Sequence, residues 1–415
     1  MDLKNKYDLI VIGAGAAGMI AAIKASKDKK KVLLLEKLPR IGAKLKATGG
    51  GRCNLTNTLS NEEFMSKFGR DGRFMQDALC LFDNKRLTDF FKGIGVDTHA
   101  PDGFRVFPIS HDSSTVISAL QNEMNRLGVD IVVSQKAKEI LFEKEHVKGV
   151  RTALDTFYAN SVILATGGLG YPGLGAEGDG YKIAKELGHK VTELYPAMTP
   201  LKTKESWVAS CRADTIPKVE LKVNIKKHNK LKANGDLIFT KNGIRGPVVL
   251  DAATFITPLL DRYGEVPLLV NLTKGMDEEQ ILKHLKNEIS KDPGLNMLEL
   301  LKTLIPESIA KEFCILTDTD PLLSYSKISG TSKDRLIKIL AWTPLHVSGH
   351  EGFKTAMITK GGIDLKEIDP KSMQSKLIKG LYFCGEIMNL DGPCGGYNLQ
   401  WSFASGYLAG SLKDR

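Results

Sequence analysis

The sequence predicts an α/β protein: a Rossmann-like nucleotide-binding domain interrupted by a small β-barrel, with an all-α domain nested inside that insertion. Three observations carry this reading. Residues 7–12 form an apolar strand pattern that runs into Gly13-Ala-Gly15-Ala-Ala-Gly18, then a helical run, then a second strand ending in Glu36. The middle of the chain changes to short alternating segments and then to helical periodicity. Residues 354–415 return to a strand, a glycine loop and a helix.

The first element fixes a ligand class. Gly13 lets the chain turn out of the strand, Gly15 leaves room beside the backbone for a pyrophosphate, and Gly18 lets the helix approach the sheet. The helix N-terminus offers N–H groups and partial positive charge to phosphate. Glu36 lies eighteen residues past Gly18, where a carboxylate can accept the ribose hydroxyls and would repel a 2′-phosphate. The apolar run 9–25 also has the length of a signal peptide or anchor. Its spaced glycines and the immediate second strand argue against that.

Later strands are expected at 130–133 and 161–165, the latter running into Ala165-Thr166-Gly167-Gly168. From 194 to 274 the alternation at 219–225 and 237–239 suggests the first part of an antiparallel barrel. Residues 275–342 carry helical spacing at 280–289, 297–304, 309–313 and 333–340, punctuated by Pro293, Pro306 and Pro321. A return strand at 343–353 closes the barrel, and 1–193 with 354–415 make the nucleotide-binding domain. There, 380–384 is a strand closed by Gly385-Glu386, and Asp391-Gly-Pro-Cys-Gly395-Gly396 opens a helix at Tyr397. That helix N-terminus suits the negative charge of a reduced flavin. The second gripping point, with no second G-x-G-x-x-G, favours FAD over NAD as the resident cofactor.

A second dense motif is Gly49-Gly50-Gly51-Arg52-Cys53-Asn54-Leu55-Thr56-Asn57, a poor core element and a good loop beneath a ring or phosphate. Thr48 is placed to hydrogen-bond a flavin edge, and Arg52 to hold an anionic group. Arg52 and Tyr397 are the catalytic candidates, ahead of Tyr171 and His350, because they lie in cofactor-type loops. Cys53 and Cys394 read as structural thiols.

Bulk properties exclude other classes. The six cysteines show no C-x-x-C pair and the eight histidines no metal spacing, so no metal is expected. Free thiols suit a cytoplasmic protein. The net charge of +10 reads as lysines spread over a solvated surface, which makes nucleic acid an unlikely partner. No membrane partner is expected either.

These strings resemble the YhiN/BaiN-type FAD-dependent oxidoreductases, relatives of aminoacetone oxidase, over essentially the whole chain. The resemblance rests on the two glycine motifs with Glu36, Arg105-Val-Phe-Pro108, Ala165-Thr-Gly-Gly168 with Tyr171-Pro172, Gly246-Pro247, Thr359-Lys-Gly-Gly362, Gly385-Glu386 and Gly395-Gly-Tyr-Asn-Leu-Gln400. Arg245 departs from a position usually held by a small serine. The resemblance implies the three-part architecture. It also implies an FAD site that includes Ala16, Ala17, Lys37, Lys44, Gly50, Asn54, Ala137, Ala165, Gly167, Glu386, Gly396, Asn398 and Leu399. The reaction it implies is hydride transfer at flavin N5 with a small organic substrate, read here as NAD(P)H-dependent reduction of a conjugated C=C bond with transient NAD(P)H. The alternatives are aminoketone oxidation, flavin-dependent RNA modification and non-catalytic FAD binding.

Overall fold

The structure is a computed structural model that describes residues 5–413. The chain divides into two compact units, 1–194 with 358–415, and 195–357.

The first unit is built on a five-stranded parallel sheet. Its spatial order is Leu381–Phe383, Ser161–Leu164, Leu9–Ile12, Val32–Leu35 and Asp130–Val132. Leu9 stands opposite both Ser161 and Val32. The central strands are buried on both faces, which is why they read as unbroken apolar runs.

Helix Ala16–Lys27 and the terminal helix Tyr397–Gly410 are buried nearly all round. Their axes approach until side chains no longer fit: a Cβ on Gly406 or Gly410 would overlap the carbonyl of Ala17 or Ala21. Small residues at Ala17, Ala21, Gly406 and Gly410 are therefore the contact itself.

An antiparallel sheet, Ala137–Glu143, His146–Thr152 and Thr156–Tyr158, was not anticipated from the sequence. Nor were the helices between the glycine loop and the third parallel strand. They are locally well specified: Ser60 and Glu63 form a capping box on Asn61–Ser66, Asp83 caps Asn84–Gly93, and Asp112 caps Ser113–Arg126.

The second unit contains a closed six-stranded barrel, in the order Leu201–Thr203, Gly243–Arg245, Lys232–Thr240, Thr215–Val223, Val266–Asn271 and Thr343–His350. Within the stretch read as strands lies a 17-residue helix, Pro247–Tyr263. Its buried Val248, Val249, Ala252, Ala253, Ile256, Leu259 and Leu260 follow a helical period, and Pro247 pre-sets its first turn.

The helices Glu278–Lys291, Met297–Lys302, Glu307–Leu316 and Gly330–Ala341 fall on the expected periodic segments, and capping boxes at Asp277 and Asn296 start the first two. They share one apolar core with the barrel. Trp207 bridges them, its ring 5.6 Å from Phe239 of the barrel and 5.8 Å from Phe313 of the helices. Among the described residues no helix is long and apolar enough to cross a membrane.

Candidate active site

The N-terminal turn is shaped by backbone contacts. Gly13 adopts φ +103°, and a Cβ there would sit 2.6 Å from the Ala165 carbonyl. A Cβ on Gly18 would overlap the Gly13 carbonyl, whereas one on Gly15 would meet nothing within 4 Å. Gly15 is thus not required by protein packing; its emptiness is a cradle. It is also the N-cap of Ala16–Lys27, which no side chain caps, so the first-turn N–H groups at Ala16, Ala17 and Gly18 lack intrahelical partners.

Glu36 faces this turn. Its Oε2 accepts the Ala14 N–H (2.9 Å) and its Oε1 the Leu38 N–H (2.8 Å). Each oxygen keeps a further lone pair for a ribose hydroxyl. Beside it, Lys37 Nζ bonds Glu177 (2.7 Å) and Asp179 (2.6 Å), and Lys136 holds the other oxygen of Asp179 (2.6 Å). The buried Ala137 begins the strand that follows Lys136.

The Ala165-Thr166-Gly167 turn ends the neighbouring strand and lies beside Gly13. Gly167 adopts φ +70° with open space at its Cβ, and the buried Thr166 hydroxyl has no protein partner. Lys44 Nζ meets Glu386 Oε2 at 2.6 Å, while Glu386 Oε1 accepts the Thr359 N–H at 2.9 Å. Thr359 Oγ1 in turn accepts the Leu169 N–H (2.7 Å). Gly385 donates its N–H to Ser405 Oγ (2.9 Å) and packs on Ala17, where an added Cβ would lie 3.0 Å from the alanine methyl.

The two glycine motifs, far apart in sequence, are joined here. With its amide oriented to satisfy its neighbours, Asn54 donates to Val106 O (3.2 Å) and Thr56 O (3.0 Å) and accepts the Gly396 N–H (3.0 Å). Asn57 Nδ2 donates to Gly395 O (2.9 Å). A Cβ at Gly396 would lie 2.5 Å from the Thr56 carbonyl. Asn398 secures the same loop by accepting the Gly392 N–H (2.9 Å) and donating to Gly392 O (2.8 Å). Leu399 lies half-buried in the same first turn. The side chains of Asn54 and Asn398, expected as cofactor ligands, are therefore occupied in tying the loop.

Two other expectations change, and His350 stays the lesser candidate. Thr48 donates its hydroxyl to Leu45 O (2.7 Å), satisfying a carbonyl at the end of helix Ala43–Ala47 rather than reaching toward a flavin. Tyr397, expected as a catalytic group, is 4 % exposed, its ring 5.0 Å from Phe64 and 6.1 Å from Phe68. It is a packing residue in an aromatic cluster. His350 accepts the Gly352 N–H on Nδ1 (3.0 Å), and burial first, then Lys202, lowers its pKa and keeps the ring neutral.

Arg52 remains open. It is exposed, its guanidinium 5.3 Å from the Phe107 ring centre and its Nε 3.3 Å from Gly49 O. Gly49, Gly50 and Gly51 precede it with φ of +59°, +66° and +88°, and neither Gly50 nor Gly51 has anything within 4 Å of a Cβ. Cys53 is buried, and burial pushes its thiol up to about 12 against the opposing Thr48 hydrogen bond. It is not a thiolate at neutral pH.

Sequence reasoning missed Asp391. Burial pushes its carboxyl pKa up, despite Lys360 3.6 Å away, and Glu386 and Asp71 add to the rise. A lone acid inside a glycine loop flanked by apolar residues was the available signal.

The model of the HI0933-like protein Rossmann domain matches residues 7–412. The chain belongs to this family. It is an FAD-dependent oxidoreductase. Among HI0933-like relatives, the chain is 30 % identical to the 3-dehydro-bile acid delta(4,6)-reductase of Clostridium scindens, over 96 % of this chain and 97 % of that one. It is 28 % identical to the ribosomal RNA dihydrouridine synthase of Escherichia coli, over 97 % of each chain. Its fold is similar to that of the 3-ketosteroid-delta4-(5alpha)-dehydrogenase of Rhodococcus jostii, with TM-score 0.53 and 16 % identity over 100 % of this chain and 98 % of that one.

The residues present fit FAD. The uncapped helix end and the empty cradle at Gly15 suit a pyrophosphate, and Glu36 a ribose.

Proposed function

We propose that this HI0933-like protein is an NAD(P)H-driven reductase of a carbon–carbon double bond conjugated to a carbonyl, acting on a small organic molecule. The observation that carries the reading is the full-length similarity to a protein named as a delta(4,6)-reductase. When bound, FAD supplies the hydride.

The chain's own residues divide the remaining work. First-turn N–H groups at Ala16, Ala17 and Gly18 bind the pyrophosphate, with Glu36 on the ribose. Gly396 begins a helix with no acidic residue in its first turn, so its positive end opposes negative charge on the cofactor ring. Arg52 lies exposed after three glycines and holds the substrate carbonyl, drawing charge away from the double bond. Asp391, kept toward its neutral form by burial, is the proton source for the α-carbon.

The test is to titrate the yellow protein with NADH and NADPH without oxygen and then add enones. Bleaching by a nucleotide, with colour restored by an enone, supports the reading. Colour lost only to an amine and restored by oxygen would replace it with the aminoketone oxidase alternative.

A second reading has its own support. Two relatives, from Escherichia coli and Haemophilus influenzae, are named ribosomal RNA dihydrouridine synthases and match 96–97 % of this chain at 28 % identity. Dihydrouridine is uridine with the double bond beside a carbonyl saturated, so the bond change is the same and only the substrate differs. Reoxidation of the reduced protein by ribosomal RNA, but not by free enones, would select it.

A further inference from the structure

The net charge of +10 is not evenly spread. From Leu221 to Gly235 the chain carries Lys222, Lys226, Lys227, His228, Lys230 and Lys232 and no acidic residue. This is the end of one barrel hairpin, formed by Thr215–Val223, a short turn and Lys232–Thr240. Lys226, Lys227, Lys230 and Lys232 are exposed. Among the described residues, no carboxylate lies within 4.0 Å of any of these lysines.

Two features set this end apart from an ordinary solvated face. Lys222 and Lys232 are direct cross-strand partners, on the outer side of a register whose inner pair is Leu221 and Ala233. Like charges directly opposite disfavour a sheet, and here both cations are kept on its outer side.

Aromatic rings also lie among the cations. Lys222 Nζ is 3.5 Å from the centre of the Trp342 ring. His228 Nε2 is 3.2 Å from Tyr263 Oη, and the Arg262 guanidinium is 5.2 Å from the Tyr263 ring. Tyr263 is 41 % exposed. Asp261 and Glu265 flank this ring in sequence, and Glu265 is engaged by Lys204.

We infer that the hairpin end, with Tyr263 beside it, is a docking surface for RNA. The lysines neutralise successive phosphates, and the exposed ring stacks on an unpaired base. The surface lacks the broad apolar face that an interfacial membrane element inserts. The inference rests on the RNA reading given above and deepens it by naming where on the chain the RNA docks, a step that requires no turnover.

The test uses the full-length, flavin-loaded protein and a fluorescein-labelled RNA stem-loop, with anisotropy followed from about 50 to 200 mM KCl. The triple variant Lys226→Glu, Lys227→Glu, Lys230→Glu is compared with Lys283→Glu, Lys286→Glu, Lys291→Glu on helix Glu278–Lys291, which changes net charge equally. The hairpin variant is expected to weaken binding at least ~tenfold and to reduce the log–log salt slope by about 2, with the helix variant near wild type. Tyr263→Ala is expected to cost about tenfold without changing the slope. Unchanged flavin absorbance and NAD(P)H bleaching in each variant separate loss of docking from loss of fold or of reductase activity. Equal losses in the two triple variants, no RNA binding by wild type, or capture by anionic phospholipid vesicles in place of RNA would each overturn the inference.

Discussion

Gly15 and Gly18 sit three residues apart and answer to different constraints. Gly18 has the Gly13 carbonyl where a Cβ would go, so Gly18→Ala is expected to damage the fold itself. Gly15 has open space, so Gly15→Ala is expected to fold normally and bind FAD at least ~tenfold more weakly, because the methyl would keep a pyrophosphate from the backbone. Melting of the apoprotein beside flavin titration distinguishes the two. Asn54→Ala strands the Gly396 N–H and removes one donor from the Val106 and Thr56 carbonyls, the former keeping the Leu55 N–H, and is expected to cost about 1–3 kcal/mol, read by urea unfolding.

Asp391 gives a pH signature. Its folded pKa is raised above its unfolded value near ~4, so the native state holds the proton longer. Its contribution to stability is fully present below the unfolded pKa and is lost as pH rises through the folded value. Asp391→Asn is therefore expected to flatten the fall in stability above about pH 4 and to gain on wild type toward neutrality. Urea midpoints across a pH series check this, and an unchanged slope would remove Asp391 from the titration.

At the scale of elements, two small-residue helices matter most. Ala16–Lys27 and Tyr397–Gly410 meet where Gly406 and Gly410 face the carbonyls of Ala17 and Ala21. Gly406→Leu is expected to force them apart, with loss of both thermal stability and bound flavin, whereas Ser411→Leu, just past the helix, is expected to change little. A melting curve and an absorbance spectrum test both. Elements with internal signals were legible: the parallel strands as apolar runs, and the four helices after residue 275 by their period. Helix Pro247–Tyr263 was obscured because short strands flank it on both sides, and alternation was extended across a segment whose buried residues repeat every three or four positions.

At the scale of the molecule, each unit has its own apolar core. In the first, Thr192 donates its N–H to Gly362 O (2.9 Å), so the chain segments on either side of the excursion lie together. Joining residue 194 to residue 358 by a short Gly-Ser linker is expected to yield a folded protein that still binds FAD. A colourless or aggregated product would show that the first unit needs the second. The helices after residue 275 are not expected to fold when excised alone, because they share a core with the barrel.

The sequence by itself determined the ligand class, the parallel sheet and the interruption, because each depends on local pattern: glycine spacing, apolar runs and a change of period. It also marked both glycine motifs. Only the tertiary structure decided what those motifs do. Asn54 and Asn57 lock two loops separated by more than 300 residues, Asn398 closes its own loop on Gly392, Thr48 closes a helix end, and Tyr397 packs among phenylalanines. Whether a polar side chain faces a ligand or a neighbouring carbonyl depends on which distant backbone lies within hydrogen-bonding distance. That distance is fixed by the packing of the whole unit, which no local pattern encodes.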